Sequence, residues 1–135
     1  MTTTIVVIDD NREFLDFMTD LLSSAEYHIV THADPCTALD VLRRERPHLL
    51  IVDIAMPGRT GWSIIDEMRA NQETKGIPII VCTAAVTEIA KREQYAEQLG
   101  VEIIAKPFGV DELFDLVEAS INKNAGLWDL SGSAE

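Results

Sequence analysis

Five short apolar runs are spaced along the chain, and amphipathic stretches separate them. The runs are TIVVI (4–8), YHIVT (27–31), LLIV (49–52), PIIVC (78–82) and VEIIA (101–105). Runs this short and this rich in Val and Ile are typical of strands that are buried on both faces and therefore pair in parallel. Between the runs, apolar residues recur at helical spacing, as in Phe14, Leu15, Met18, Leu21 and Leu22. The alternation predicts an α/β fold, a single (βα)5 doubly wound five-stranded parallel sheet with right-handed crossovers.

Capping residues mark the boundaries of the predicted helices. Asp34-Pro35 places a cap before a proline at the first helical position, and Gly100 stands where a left-handed residue ends the fourth helix. That helix, roughly 87 to 99, carries few apolar residues, so little burial is expected to anchor it. Such a helix is a candidate for movement or for docking a partner.

The strand–helix pattern ends near residue 123. We expect one domain over residues 1–123 and a flexible C-terminal tail over residues 124–135. A docking segment is the alternative interpretation of this tail, because it contains Leu127, Trp128 and Leu130.

Charge and length exclude several classes of function. The net charge of −12 argues against direct nucleic-acid binding, because an acidic surface repels phosphate backbones. No apolar run approaches the roughly 18 residues needed to cross a bilayer. MTTT has no basic region followed by an apolar stretch, so we expect no signal peptide. Cys36 and Cys82 have no spacing typical of a metal site or a disulfide framework. We therefore expect a cytoplasmic protein with reduced thiols and no membrane insertion.

Polar side chains follow the ends of four predicted strands. Asp9 and Asp10 come after the first strand and Asp53 after the third, whereas Thr83 and Lys106 follow the fourth and fifth. In a flavodoxin-like strand order, 2-1-3-4-5, the first and third strands are neighbours, and ligands bind beyond their carboxyl ends. We therefore expect these five side chains to converge on one edge of the sheet.

Three carboxylates at one edge require a compensating cation. Two carboxylates about 4 Å apart repel each other by roughly 4 kcal/mol at an effective dielectric near 20. Magnesium suits a site with few carboxylates, water and phosphate oxygens. Taken singly, Asp10 could be only the N-cap of the first helix, Thr83 a turn former and Lys106 a counter-ion. Together, at four strand ends, they favour a shared site.

The ordered motifs resemble the receiver domain of bacterial two-component response regulators, in a stand-alone form like the chemotaxis regulators. The matching residues are DD after the first strand, D-x-x-M-P-G after the third, T-A after the fourth and K-P-F after the fifth. Thr83 stands thirty positions after Asp53, as it does in the family. The resemblance covers almost the whole chain.

The resemblance implies a role for each site residue. Asp53 would accept a phosphoryl group from a phosphohistidine. Asp9, Asp10, Asp53 and the backbone carbonyl of Ala55 would hold Mg²⁺, with Mn²⁺ as an alternative ion. Lys106 and Thr83 would contact phosphoryl oxygens, and the small Ala84 would leave room for the group. Four further residues would shape the loops: Pro57, Gly58, Gly61 and Pro107, the last with a cis bond to Lys106.

Two departures from the family pattern affect signalling and lifetime. The family often has an aromatic residue three positions before the strand-five lysine, where this chain has Ile103, a stiff side chain without a hydroxyl. The output through the fourth helix, fifth strand and fifth helix is therefore expected to differ. Ala55 and Ala85 occupy positions that influence attack by water on the acyl phosphate, and neither can orient a water. We expect slow self-dephosphorylation.

The implied function is a phosphorylation-dependent switch and not an enzyme in the usual sense. Its partners would be a sensor histidine kinase or a histidine phosphotransfer protein and a downstream protein target, with the chain acting as a monomer or weak dimer. We expect no output domain in this chain. A phosphorelay intermediate and a receiver that binds partners without phosphorylation stay open as alternatives. An aspartate-nucleophile phosphatase is disfavoured, because Ala55 stands where its general acid would be.

Overall fold

The computed structural model describes residues 2–134, without the side chains of residues 86, 88–92 and 123–134. Strands and helices alternate along the chain, as the sequence predicts. The elements are β1 (Thr4–Ile8), α1 (Arg12–Ser23), β2 (His28–His32), a 3₁₀ helix (Pro35–Thr37), α2 (Ala38–Glu45), β3 (Leu49–Val52), α3 (Gly61–Ala70), β4 (Ile79–Thr83), α4 (Val86–Gln98), β5 (Val101–Ala105) and α5 (Val110–Ala134).

All strand pairs are parallel, and the strand order is β2-β1-β3-β4-β5. The expected (βα)5 fold and the flavodoxin-like order are therefore confirmed. Two strands begin and end one residue later than expected, at residues 28–32 and 79–83. The expected burial on both faces holds for β3 and β4 but not for the two edge strands, β2 and β5, which are partly exposed.

The sheet separates two apolar layers. On one face, side chains of α2, α3 and α4 pack against alternate residues of β1, β3 and β4 such as Val6, Leu50 and Val81. On the other face, α1 and α5 pack against the intervening residues, such as Val7 and Ile51. Because successive residues of a strand point to opposite faces, each continuous apolar run supplies both layers.

Local caps follow the sequence signals. The side chain of Asp34 accepts a hydrogen bond from the Cys36 N–H and caps the 3₁₀ helix, which has Pro35 at its start. Gly100 has a φ of 67° and makes the turn into β5 in the left-handed conformation that suits glycine.

A half-buried arginine connects the turns that precede β4 and β5, at the opposite edge of the sheet. Arg69, in the last turn of α3, donates to the backbone carbonyls of Leu99, Lys75 and Ile77 over 2.9, 2.8 and 2.8 Å. Burial lowers the pKa of its guanidinium. This one side chain therefore fixes the turns that lead into β4 and β5.

The expected tail lies within the bounds of α5. The side chains of Leu127, Trp128 and Leu130 lie outside the described residues, as do most of those in the first half of α4. The division at residue 123 and the weak anchoring of α4 stay predictions. In the part of the chain that the structure describes, no helix is long and apolar enough to cross a membrane.

Candidate functional site

The three predicted acids meet at the carboxyl edge of the sheet. Asp9, Asp10 and Asp53 each offer a carboxylate oxygen, and these oxygens lie within 4.8 Å of one another. The β1–β3 ladder continues past the strands, because the Asp53 N–H donates to the Ile8 carbonyl over 3.1 Å. The backbone pairing of two central strands therefore brings the acids together.

Two of the acids are buried and one faces solvent. Asp9 is 1% exposed and Asp53 is 8% exposed, whereas Asp10 is exposed. The alternative role of Asp10 as helix N-cap is wrong, because the side chain of Asn11 accepts the capping hydrogen bond from the Phe14 N–H. Asp10 is thus left at the surface beside the two buried carboxylates.

Each buried carboxylate is held by its own loop. Oδ1 of Asp9 accepts from the Asn11 N–H over 2.9 Å, and Oδ1 of Asp53 accepts from the Ala55 N–H over 3.0 Å. Oδ2 of each residue faces Lys106, whose Nζ lies 2.6 Å from Asp9 and 3.4 Å from Asp53. The carboxylates are therefore oriented before any ligand binds.

The charges at the site do not balance. Burial raises the pKa of Asp9, against the opposing effect of the hydrogen bond from Lys106. For Lys106, burial acts to lower the pKa, but the hydrogen bond to Asp9 and the charges of Asp9 and Asp53 raise it above its ordinary value. Lys106 therefore stays protonated at neutral pH and compensates one of three negative charges. The oxygen-only donor set fits a hard divalent cation.

Thr83 and Lys106 lie beside each other at the ends of β4 and β5. The Lys106 N–H donates to the Thr83 carbonyl over 2.8 Å, which continues the ladder into the site. Thr83 is fully buried, and its Oγ1 accepts from the Ala85 N–H over 3.1 Å. The next residue, Ala84, is exposed, and its side chain is small.

The loop after β3 is closed by two glycines. Gly58 has a φ of 87°, a conformation that suits glycine, and follows the exposed Pro57. A Cβ at Gly61 would lie 2.4 Å from the carbonyl oxygen of Asp53, so α3 starts in direct contact with the end of β3. Gly61 is therefore required by close approach and not by a special φ.

Two other residues singled out in the sequence lie near the site. The Lys106–Pro107 peptide bond is cis, as the resemblance implies. Ile103 is half-buried and packs against the apolar layer formed by α2, α3 and α4.

An aromatic residue that the sequence did not single out contacts the site lysine. Nζ of Lys106 lies 3.9 Å from the ring centroid of Phe14, in the first turn of α1. The sequence assigned Phe14 only to the apolar stripe of α1, and its helical spacing carries no signal for this second contact.

Comparison with known proteins identifies the family. Residues 5–118 match the family model for the response regulator receiver domain. A putative response regulator from Chloroflexus aurantiacus J-10-fl is 27% identical, with a TM-score of 0.80 over 90% of this chain and 99% of that chain. The receiver domain of the sensor histidine kinase PA1611 from Pseudomonas aeruginosa PAO1 is 26% identical, with a TM-score of 0.79 and the same coverage, and its structure has a magnesium ion coordinated in the active site cleft.

A third structure supports the fold alone. A CheY-like response regulator receiver domain protein from Methanospirillum hungatei JF-1 is 18% identical, with a TM-score of 0.85 over 93% of this chain and 98% of that chain. The family model covers most of the chain, including the acidic cluster and the strand-five lysine. This chain therefore belongs to the family of response regulator receiver domains.

Proposed function

We propose that this chain is a phosphorylation-dependent switch in which Asp53 accepts a phosphoryl group from the phosphohistidine of a sensor histidine kinase or a histidine phosphotransfer protein. The observation that carries the proposal is the cluster of three carboxylates, each with an oxygen within 4.8 Å of the others, with Lys106 bridging the carboxylates of Asp9 and Asp53. Membership of the receiver family supports the same chemistry.

In this proposal Asp9, Asp10, Asp53 and the carbonyl of Ala55 hold Mg²⁺, and Mn²⁺ is an alternative ion. The donors are all oxygens, and the charge of the cluster exceeds what Lys106 compensates, so a divalent cation fits both requirements. When bound, the ion neutralises charge on the transferring group. The buried Asp9 and Asp53 orient their oxygens through backbone N–H groups, which reduces the rearrangement that binding requires.

Asp53 is the acceptor in this reaction. A carboxylate oxygen of Asp53 forms the new P–O bond as the P–N bond of the donor phosphohistidine breaks, and the electron pair leaves with the imidazole. Lys106 already lies 3.4 Å from Asp53, so its ammonium can pair with a phosphoryl oxygen after a small movement.

Thr83 supplies a hydroxyl donor. Its Oγ1 accepts from the Ala85 N–H, and within the described residues its O–H donates to no side chain or carbonyl. The hydroxyl proton can therefore point toward a phosphoryl oxygen, and the small Ala84 leaves space beside it.

Signalling follows from the position of these two groups at strand ends. A phosphoryl group adds about −1.5 to −2 charges and three acceptor oxygens, which draw Thr83 and Lys106 inward. This biases the α4–β5–α5 region, where Ile103 replaces the usual aromatic residue, and a downstream protein that distinguishes the two states reads the change.

Incubation with Mg²⁺ and acetyl phosphate tests the proposal. We expect one base-labile phosphoryl adduct by mass spectrometry, no adduct in Asp53→Asn, and a normal adduct in Asp20→Asn, which removes an exposed acid on α1. Mg²⁺ at about 100 times its Kd should stabilise the folded chain by about 2.7 kcal/mol. An adduct that persists in Asp53→Asn contradicts the assignment, and steady hydrolysis of phosphomonoesters favours the phosphatase alternative.

A further inference from the structure

The ammonium of Lys106 has three neighbours of different character. Two are carboxylate oxygens, of Asp9 at 2.6 Å and of Asp53 at 3.4 Å. The third is the ring of Phe14, whose centroid lies 3.9 Å from Nζ. The face of an aromatic ring is electron-rich, so it attracts a cation placed above it.

The ring of Phe14 is itself held in place. Its centroid lies 6.4 Å from that of Phe108, edge to face at 84°, and 6.4 Å from that of Phe17. Phe108 follows Lys106-Pro107 directly in the chain, so the aromatic contact joins α1 to the loop that carries the lysine. Because the ring is packed on its neighbours, it offers a fixed surface to a flexible side chain.

We propose that Phe14 is a positioning residue that holds Lys106 toward Asp53 for phosphoryl transfer, an inference that rests on the proposed function. Lysine has a flexible four-carbon stem, so its ammonium can leave the site unless its other contacts restrict it. The ring of Phe14 restricts the ammonium, and it offers no oxygen or nitrogen that would compete with the phosphoryl group for the ammonium protons.

The ring matters most when Asp9 is otherwise engaged. In the proposed function Asp9 also binds the divalent cation, which weakens the attraction of this carboxylate for Lys106. The contact with Phe14 does not depend on the charge of Asp9. A ring face also allows the ammonium to move sideways, because it fixes no single hydrogen-bond direction. Lys106 can then move from Asp9 to a phosphoryl oxygen on Asp53 while it stays over the ring.

Fluorinated phenylalanines at position 14 separate the electrostatic role from simple packing. Fluorination withdraws charge from the ring face and changes its shape little. We expect phosphorylation of Asp53 by acetyl phosphate to slow with each added fluorine, by about two- to five-fold in the most fluorinated variant. Phe14→Leu, which removes the ring, should slow the reaction to a similar extent. Phe14→Tyr should keep the wild-type rate.

Phe17 provides the matched control. It belongs to the same aromatic cluster, where it packs on Phe14 and Phe108, but the described residues include no contact between its ring and a cation. The same fluorinated series at Phe17 should leave the rate unchanged. A second readout needs no phosphoryl transfer, because the ring current of Phe14 should shift the ε-methylene NMR signal of Lys106 upfield. That shift should disappear in Phe14→Leu.

The outcomes distinguish the two proposals. If wild type forms the Asp53 adduct and the Phe14 variants form it equally fast, the positioning role is wrong and the proposed function stands. If fluorination at positions 14 and 17 slows phosphorylation equally, Phe14 acts only through packing and the electrostatic role is wrong. If wild type forms no adduct, the proposed function fails, and the positioning role fails with it. Absence of the upfield shift in wild type would overturn the contact itself.

Discussion

Replacement of Gly61 by alanine tests whether the start of α3 must touch the end of β3. A Cβ at this position would lie 2.4 Å from the carbonyl oxygen of Asp53 and 2.7 Å from the Cα of Ile54. Both are backbone atoms, so no side-chain rotation can relieve the overlap. The Gly61 N–H also donates to the Ile54 carbonyl over 3.1 Å, and a shift of the helix would stretch this bond.

The size of the effect follows from the overlap. The closest approach is about 1 Å shorter than the 3.4 Å at which ordinary van der Waals contact begins. Overpacking of this kind costs about 1–3 kcal/mol, and the better helix propensity of alanine offsets at most about 1 kcal/mol. We expect Gly61→Ala to lower the free energy of unfolding by about 2 kcal/mol. Movement of the Asp53 backbone should also slow phosphorylation.

Urea unfolding followed by circular dichroism measures the change. Gly76→Ala is the matched control, because a Cβ there meets no atom within 4 Å and the residue has no positive φ. The control should be as stable as wild type or more stable by about 0.4–1 kcal/mol. Equal stability of Gly61→Ala and wild type would refute the close-contact argument.

Three further predictions concern lifetime, reactivity and stability. Ala55→Asn should shorten the lifetime of the phosphorylated chain several-fold, because an amide can orient an attacking water; an unchanged decay rate on Phos-tag gels would contradict this. Burial raises the pKa of the Cys82 thiol to about 12. At about pH 8, Ellman's reagent should therefore label only the exposed Cys36 in the native chain and both thiols in denaturant, and two native equivalents would show that Cys82 is accessible. Arg69→Met should lower the free energy of unfolding by about 2–3 kcal/mol, because three carbonyls lose their donor. Arg43→Met, which removes an exposed ion pair, should change it by less than about 1 kcal/mol, and equal effects would refute the role of Arg69.

The fold follows from local pattern because parallel strands carry a simple signal. Apolar runs of four or five residues located every strand, and the acids after the runs indicated the edge where the site lies. The one-residue errors at β2 and β4 have a common cause. Tyr27 and Pro78 are apolar and extend the runs in the sequence, but the strands begin at the next residues.

The details of the site depend on contacts that are distant in sequence. The pattern Asp10-Asn11-Arg12-Glu13 fits a capping box with Asp10 as the N-cap, but in the structure Asn11 caps α1. Phe14 has the same helical spacing as its core neighbours. Its second contact exists because the loop after β5 returns Lys106 to α1, and no local pattern encodes that approach.

The central position of β3 in the sheet has a consequence for the lifetime of the proposed phosphorylated state. This strand is fully buried and is hydrogen-bonded to β1 on one side and β4 on the other. Amides in such a strand exchange with deuterium mainly when the whole domain opens, whereas edges and ends open far more often. Asp53 directly follows this strand, so opening of the edge strands and the chain ends would leave the proposed acceptor in place. In the proposed function, the persistence of the phosphorylated state would then be limited by hydrolysis of the acyl phosphate and not by local opening of the protein.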